Sequence, residues 1–142
     1  MAYRSGPRWR SVAGAALVVA PALALAACSV QSTGYARAAC GDLSALLQSE
    51  SRGYADAELA VVSAAARADR AADTDGSFKS FYSNLRVVRE ALAAGPGWDR
   101  ASLREATEAL TAVGVVCADL GAPVESVGTP LSAMTLQDLT HS

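Results

Sequence analysis

The chain has 142 residues, 51% of them hydrophobic, and sets twelve basic against fourteen acidic side chains for a formal net charge of −2. That length accommodates one domain and not two, and the charge balance lacks the surplus of Lys and Arg that nucleic acid or an anionic membrane surface demands. The single histidine, His141, is the penultimate residue, which leaves no Ser-His-Asp constellation or His-rich metal site to assemble within the domain.

In chain order the first element reads as a targeting segment. Arg4, Arg8 and Arg10 form a positive start with no acidic residue before Asp42, and the apolar run Val12 to Ala27 ends in small residues, the order of a secretory signal. Its last three residues with the cysteine that follows, Leu25-Ala26-Ala27-Cys28, resemble the lipobox at which diacylglycerol is attached to the cysteine thiol before cleavage makes that cysteine the first residue. Two rival readings exist. The run holds 16 residues with Gly14 and Pro21 inside, short of the ~20 that a spanning helix needs. Ala24-Leu25-Ala26 also fits the small-x-small rule of an ordinary secretory signal. Cysteine arithmetic favours the lipoprotein reading: three cysteines in an exported chain leave one odd, and lipid on Cys28 leaves Cys40 and Cys117 to pair in an oxidising compartment. The division expected is signal peptide 1–27, lipidated tether 28–35, helical domain 36–121 and flexible tail 122–142.

Removal of 27 residues takes three arginines with it and leaves nine basic and fourteen acidic side chains on 115 residues. Ser29 to Tyr35 is short and polar, so the folded part would lie close to the bilayer. From Ala36 to Gly121 the chain is rich in Ala and Leu with one proline, Pro96, a composition that favours helices. Cys40, Leu43 and Leu47 begin a helical stripe. Tyr54, Ala57, Val61, Ala64 and Ala68 continue it after the polar interruption Ser49 to Gly53. Phe78, Phe81, Leu85, Val88 and Leu92 form a third stripe, and Leu103, Ala106, Leu110, Val113 and Cys117 a fourth.

The punctuation between these stripes is chemical. Asp75 or Ser77 can cap the third helix, Gly95-Pro96 ends it, and Gly121 with Pro123 ends the fourth. Asp99 can cap the fourth helix with Trp98 and Leu103 as a hydrophobic staple, in competition with a capping box at Ser102 to Glu105. These signals predict helices at Ala36 to Gln48, Tyr54 to Ala72, Ser77 to Ala94 and Arg100 to Leu120. The exit, with Pro123, Gly128, Thr129 and Pro130, reads as a flexible tail with at most one helical turn around Leu131 to Leu139.

Candidate chemistry is sparse. Asp73-x-Asp75-Gly76 is part of a calcium-loop pattern whose first position falls on Ala71 and whose closing position falls on Tyr82, so capping is the better account. Glu105 and Glu108 lie one turn apart without a Glu-x-x-His, the pattern of surface carboxylates. Tyr35, Tyr54, Tyr82 and Met134 are conceivable contacts for haem or another flat ligand, yet a small alanine-rich bundle has little room for a pocket. No catalytic residue, metal site or cofactor is expected, and the chain is not expected to be an enzyme.

The lipobox at Cys28, the short tether, Ala39-Cys40, the Arg/Ala/Asp-rich body and Cys117-Ala118-Asp119-Leu120-Gly121 together resemble the small alanine-rich lipoproteins of actinomycetes. The use of eleven arginines against the single Lys79 agrees with a GC-rich source. The resemblance implies a lipid anchor on the extracytoplasmic face of the cell membrane and a helical body, and it brings no catalytic residues. An interaction or accessory module of the cell envelope, with an envelope protein as partner, is the function expected. A small-ligand carrier and a secreted soluble factor are the alternatives.

Topology follows from the cysteines. A disulfide needs Cα atoms within about 7 Å, and an odd helix count would put Cys40 and Cys117 at opposite ends, roughly 30 Å apart at 1.5 Å rise per residue. A turn near Gly53 makes the count even. The expected fold is therefore an all-α, up-down-up-down four-helix bundle closed by Cys40 and Cys117.

Overall fold

A computed structural model describes the backbone of residues 19–50 and 52–140, with side chains from Ala27 onward among these. Arg4, Arg8 and Arg10 of the expected signal, and His141, lie outside the described residues. The fold is all-α. Four helices, α1 (Val19–Leu47), α2 (Tyr54–Thr74), α3 (Lys79–Ala94) and α4 (Arg100–Asp119), follow one another through short connections, each packing on the next. Short loops between consecutive helices force antiparallel neighbours, which is the up-down-up-down order.

The heads of α2 and α4 and the turn that leads into α3 each form where backbone donors find a carboxylate acceptor. The carboxylate of Asp56 accepts from the Gly53 N–H at 3.1 Å at the head of α2. Asp75 accepts from Ser77 N–H at 2.9 Å and opens a 3₁₀ turn, Gly76–Phe78, that leads into α3. At α4 the competition is decided for Asp99, which accepts from Ser102 N–H at 2.7 Å. These carboxylates satisfy backbone donors that the helix leaves without an intrahelical partner. Gly95 ends α3 at φ +93°, a left-handed value that an L side chain adopts only with strain.

The sequence stripes face inward. Ala57, Val61, Ala64 and Ala68 of α2 are buried, as are Phe81, Leu85, Val88 and Leu92 of α3 and Ala106, Leu110, Val113 and Cys117 of α4. Phe81 is buried and its neighbour Tyr82 only half so, since adjacent positions on a helix point about 100° apart.

Two segments depart from expectation. The stretch Ser29 to Tyr35, expected as a tether, is helical and continuous with α1. Ser32 is fully buried and Ala36, Ala39 and Leu43 continue from it at steps of four, three and four, so the core stripe extends into the polar stretch. The Ser32 hydroxyl donates to the Ser29 carbonyl at 3.0 Å, which is how a serine occupies a core position without an orphaned hydroxyl.

The second departure is the chain end. Residues 122–140, expected as a flexible tail, are packed on the bundle. β1 (Glu125–Ser126) and β2 (Thr129–Pro130) pair antiparallel across Val127-Gly128, followed by 3₁₀ turns at Leu131–Ala133 and Leu136–Thr140. Val124, Leu131, Met134, Leu136 and Leu139 are all buried. α1 and α4 make few direct contacts, and this segment lies along α4 while also touching α1 and α2. It approaches closely at Gly114 of α4, where a Cβ would come within 2.5 Å of the Ser132 backbone nitrogen. Glycine is what lets that backbone lie on the helix.

Candidate functional site

The two ends of the bundle carry different features. At the end where α1 enters, Cys28 is exposed and unpaired, and three residues, Ser29, Val30 and Gln31, separate it from buried Ser32. Val30 is 74% exposed there. Cys40 and Cys117 are joined, with Cα atoms 5.7 Å apart, and both side chains are buried. Beside the bridge the Arg37 guanidinium donates to the Leu120 carbonyl at 2.9 Å, placing a cation on the orphan carbonyls at the end of α4. Asp42 accepts from both Ser63 and Arg67 of α2 at 2.8 Å. That exposed pair adds at most about 1 kcal/mol but fixes the register of α1 on α2.

At the opposite end a groove of about 330 Å³ opens between α3 and α4, lined by Val87, Glu90, Ala91, Trp98, Asp99 and Glu105 among others. Trp98 is held in place: its indole N–H donates to the Ala91 carbonyl and its ring lies 6.0 Å from that of Tyr54. Hydrogen bonds from the Ser102 backbone and side chain hold the Asp99 carboxyl below the usual carboxylate range. Burial pushes the Tyr54 hydroxyl up, opposed by the Gly95 amide and reinforced by Glu58. The Gly95 N–H is directed at the Leu92 carbonyl, so Tyr54 Oη has no partner of hydrogen-bonding geometry among the described residues. A smaller recess of about 210 Å³ lies by Arg52, Ser126, Thr129, Met134 and Asp138. Arg52 there donates to the Leu47 carbonyl at 2.9 Å and to the Asp138 carbonyl at 3.4 Å.

The remaining sequence candidates are scattered. Glu105 and Glu108 are exposed on α4, with Glu108 3.9 Å from Arg104. Asp75 is occupied by its cap, which holds its carboxyl below the usual range, and no cluster of three or more His, Cys, Asp or Glu side chains suited to a metal occurs among the described residues. Tyr35 stacks under Arg70 at 6.0 Å and Tyr82 under Arg86 at 5.9 Å, while Met134 is buried under the chain end. The Trp98 groove was not anticipated, because Gly95-Pro96-Gly97-Trp98-Asp99 served only as helix punctuation. An aromatic side chain between two loop glycines and a capping carboxylate is the signal that was available. Among the described residues no helix is long and apolar enough to cross a membrane.

No protein-family model, curated protein or solved structure matches this chain.

Proposed function

We propose that this chain is a lipoprotein, anchored through Cys28 to the extracytoplasmic face of the cell membrane, whose helical bundle is an interaction or accessory module of the cell envelope and not an enzyme. One observation carries the reading. Of three cysteines, Cys40 and Cys117 pair with each other, and the odd one out is Cys28, the residue directly after Leu25-Ala26-Ala27. A disulfide supports an oxidising compartment, and an exposed thiol at the end of an apolar export segment has a use if it carries lipid. Two acyl chains, at about 0.8 kcal/mol per buried methylene, hold a protein stably where a single chain is marginal. The non-catalytic reading is supported by the single histidine, His141, being the penultimate residue, which leaves the helical body without an imidazole base, and by the one carboxylate of α1 that accepts from a serine hydroxyl, Asp42, being ion-paired with Arg67.

The test is lipid labelling in cells with an alkyne fatty acid, together with mass spectrometry of the mature N-terminus. Label on the wild type, its loss in Cys28→Ala and a mature chain starting at Cys28 are the outcomes expected. A soluble protein whose mature end is Ala27 would instead make it a secreted factor.

A further inference from the structure

We propose that the turn between α2 and α3 with the helix ends that flank it, Asp73 to Lys79, is the face of the bundle that meets the lipid headgroups, because α1 runs to Cys28 with no flexible spacer to let the domain tumble. The inference rests on the lipid anchor proposed above and adds to it an orientation.

The geometry comes from helix register. Asp42 of α1 is level with Ser63 and Arg67 of α2, to which it bonds, and Tyr35 is level with Arg70. From Tyr35 down to Cys28 is seven residues, about 10 Å along the axis, and from Arg70 down to Thr74 is four residues, about 6 Å. The end of α2 therefore lies within about 5 Å of the height of Cys28, and the turn Asp75 to Phe78 begins from there. α4 stops higher, with its Leu120 carbonyl beside Arg37. Of the connections between helices, the α2 to α3 turn is thus the one level with the acylated residue.

Restraint comes from burial. Ser32 is fully buried, so even a completely frayed first turn leaves four residues, at most ~14 Å, between lipid and core. A seven-residue tether would reach about 25 Å, enough for a small bundle to roll onto its side. The opposite end, with the Trp98 groove, stands a further 16 residues of α3 away, about 24 Å, and faces the envelope. Charge does not hold the base down. Asp73 and Asp75 outnumber the single Lys79 on this segment and give an anionic surface no net attraction for it, so the orientation should persist at high salt, where surface attraction is screened.

The experiment uses the full chain, acylated in cells and reconstituted in vesicles containing lipids with nitroxide headgroups. A fluorophore is placed at Ser77→Cys or, away from the cap, at Lys79→Cys, and at Gly97→Cys for the far end. Mass spectrometry first confirms lipid on Cys28. Quenching several-fold stronger at positions 77 and 79 than at 97, unchanged in 1 M salt, and lost when a flexible Gly-Ser spacer is inserted after Ser29, is the result expected. Equal quenching at both ends of the acylated protein, or no effect of the spacer, would overturn the orientation while leaving the anchor standing. Absence of lipid on Cys28 would remove the anchor and the orientation with it.

Discussion

The helical body and the segment after Gly121 bury their apolar side chains by different routes. In α2, α3 and α4 the buried residues recur every three or four positions, so each helix states which face it hides before it meets a neighbour. From Val124 to Leu139 the buried residues are spaced seven, three, two and three apart, which fits neither a helix nor a strand. Their burial follows from the chain turning back at Val127-Gly128 and lying on α4. A segment without periodicity can thus contribute as much to a core as a periodic one, provided that the rest of the fold presents a seam to fill.

The largest effect should come from removing that segment. Ending the chain after Gly121 takes away Val124, Leu131, Met134, Leu136 and Leu139, and at about 1.5 to 3 kcal/mol per buried large apolar side chain the loss rivals the whole stability of an ordinary domain. Circular dichroism of the truncated protein should show a collapsed thermal transition. An unchanged melting curve would mean that the segment is a free tail after all. Next in size, Cys117→Ala opens a loop spanning 77 residues and should cost on the order of 4 kcal/mol in the loop-entropy account, read as a lowered urea midpoint relative to the oxidised wild type.

A sharper probe of the seam is Gly114→Ala. Alanine improves helix propensity by up to about 1 kcal/mol, but its Cβ would meet the Ser132 backbone at 2.5 Å, so net destabilisation of about 1 to 3 kcal/mol is expected. Stabilisation on denaturant unfolding would show that the segment does not sit on α4. The hairpin offers a gain: Val127 is fully exposed at φ +50° beside Gly128 at φ +79°, a backbone that favours Asn-Gly over a β-branched residue. Val127→Asn should raise stability by up to about 1 kcal/mol, measurable as a higher melting temperature.

The smallest effect belongs to pH. Asp75 and Asp99 have carboxyls held low by the backbone N–H groups they cap, so their contribution is present above the ordinary carboxylate range, about pH 4, and disappears as pH falls through their depressed values. Thermal melts between pH 5 and pH 2 should show this loss, and Asp99→Asn should flatten it while retaining the cap.

Much of the helical body was legible. α2 begins at Tyr54 and α4 at Arg100 as the stripes and caps indicate, because both signals are local: a periodic apolar face and an acceptor side chain for the first free N–H groups. The pairing of Cys40 with Cys117 followed from counting cysteines, with Cys28 set aside, and the even helix count followed from the pairing. The extension of α1 through Ser29 to Tyr35 was not legible, since the first buried residue among those whose side chains are described is Ser32, whose hydroxyl is satisfied by its own helix and carries no hydrophobic mark. Nor was the Trp98 groove, which is formed jointly by α3, α4 and the loop that joins them.

By itself the sequence determined the all-α class, the four helices and their order, since propensity, periodicity and capping act within a turn or two of each residue, while the bridge from first helix to last was inferred from the number of cysteines and not from any local signal. Only the tertiary structure decided that Ser29 to Tyr35 is helix and that residues 122–140 belong to the core. Both depend on surfaces contributed by residues far away in the chain, and burial against a distant surface leaves no local signature when the buried side chains are small, polar or irregularly spaced.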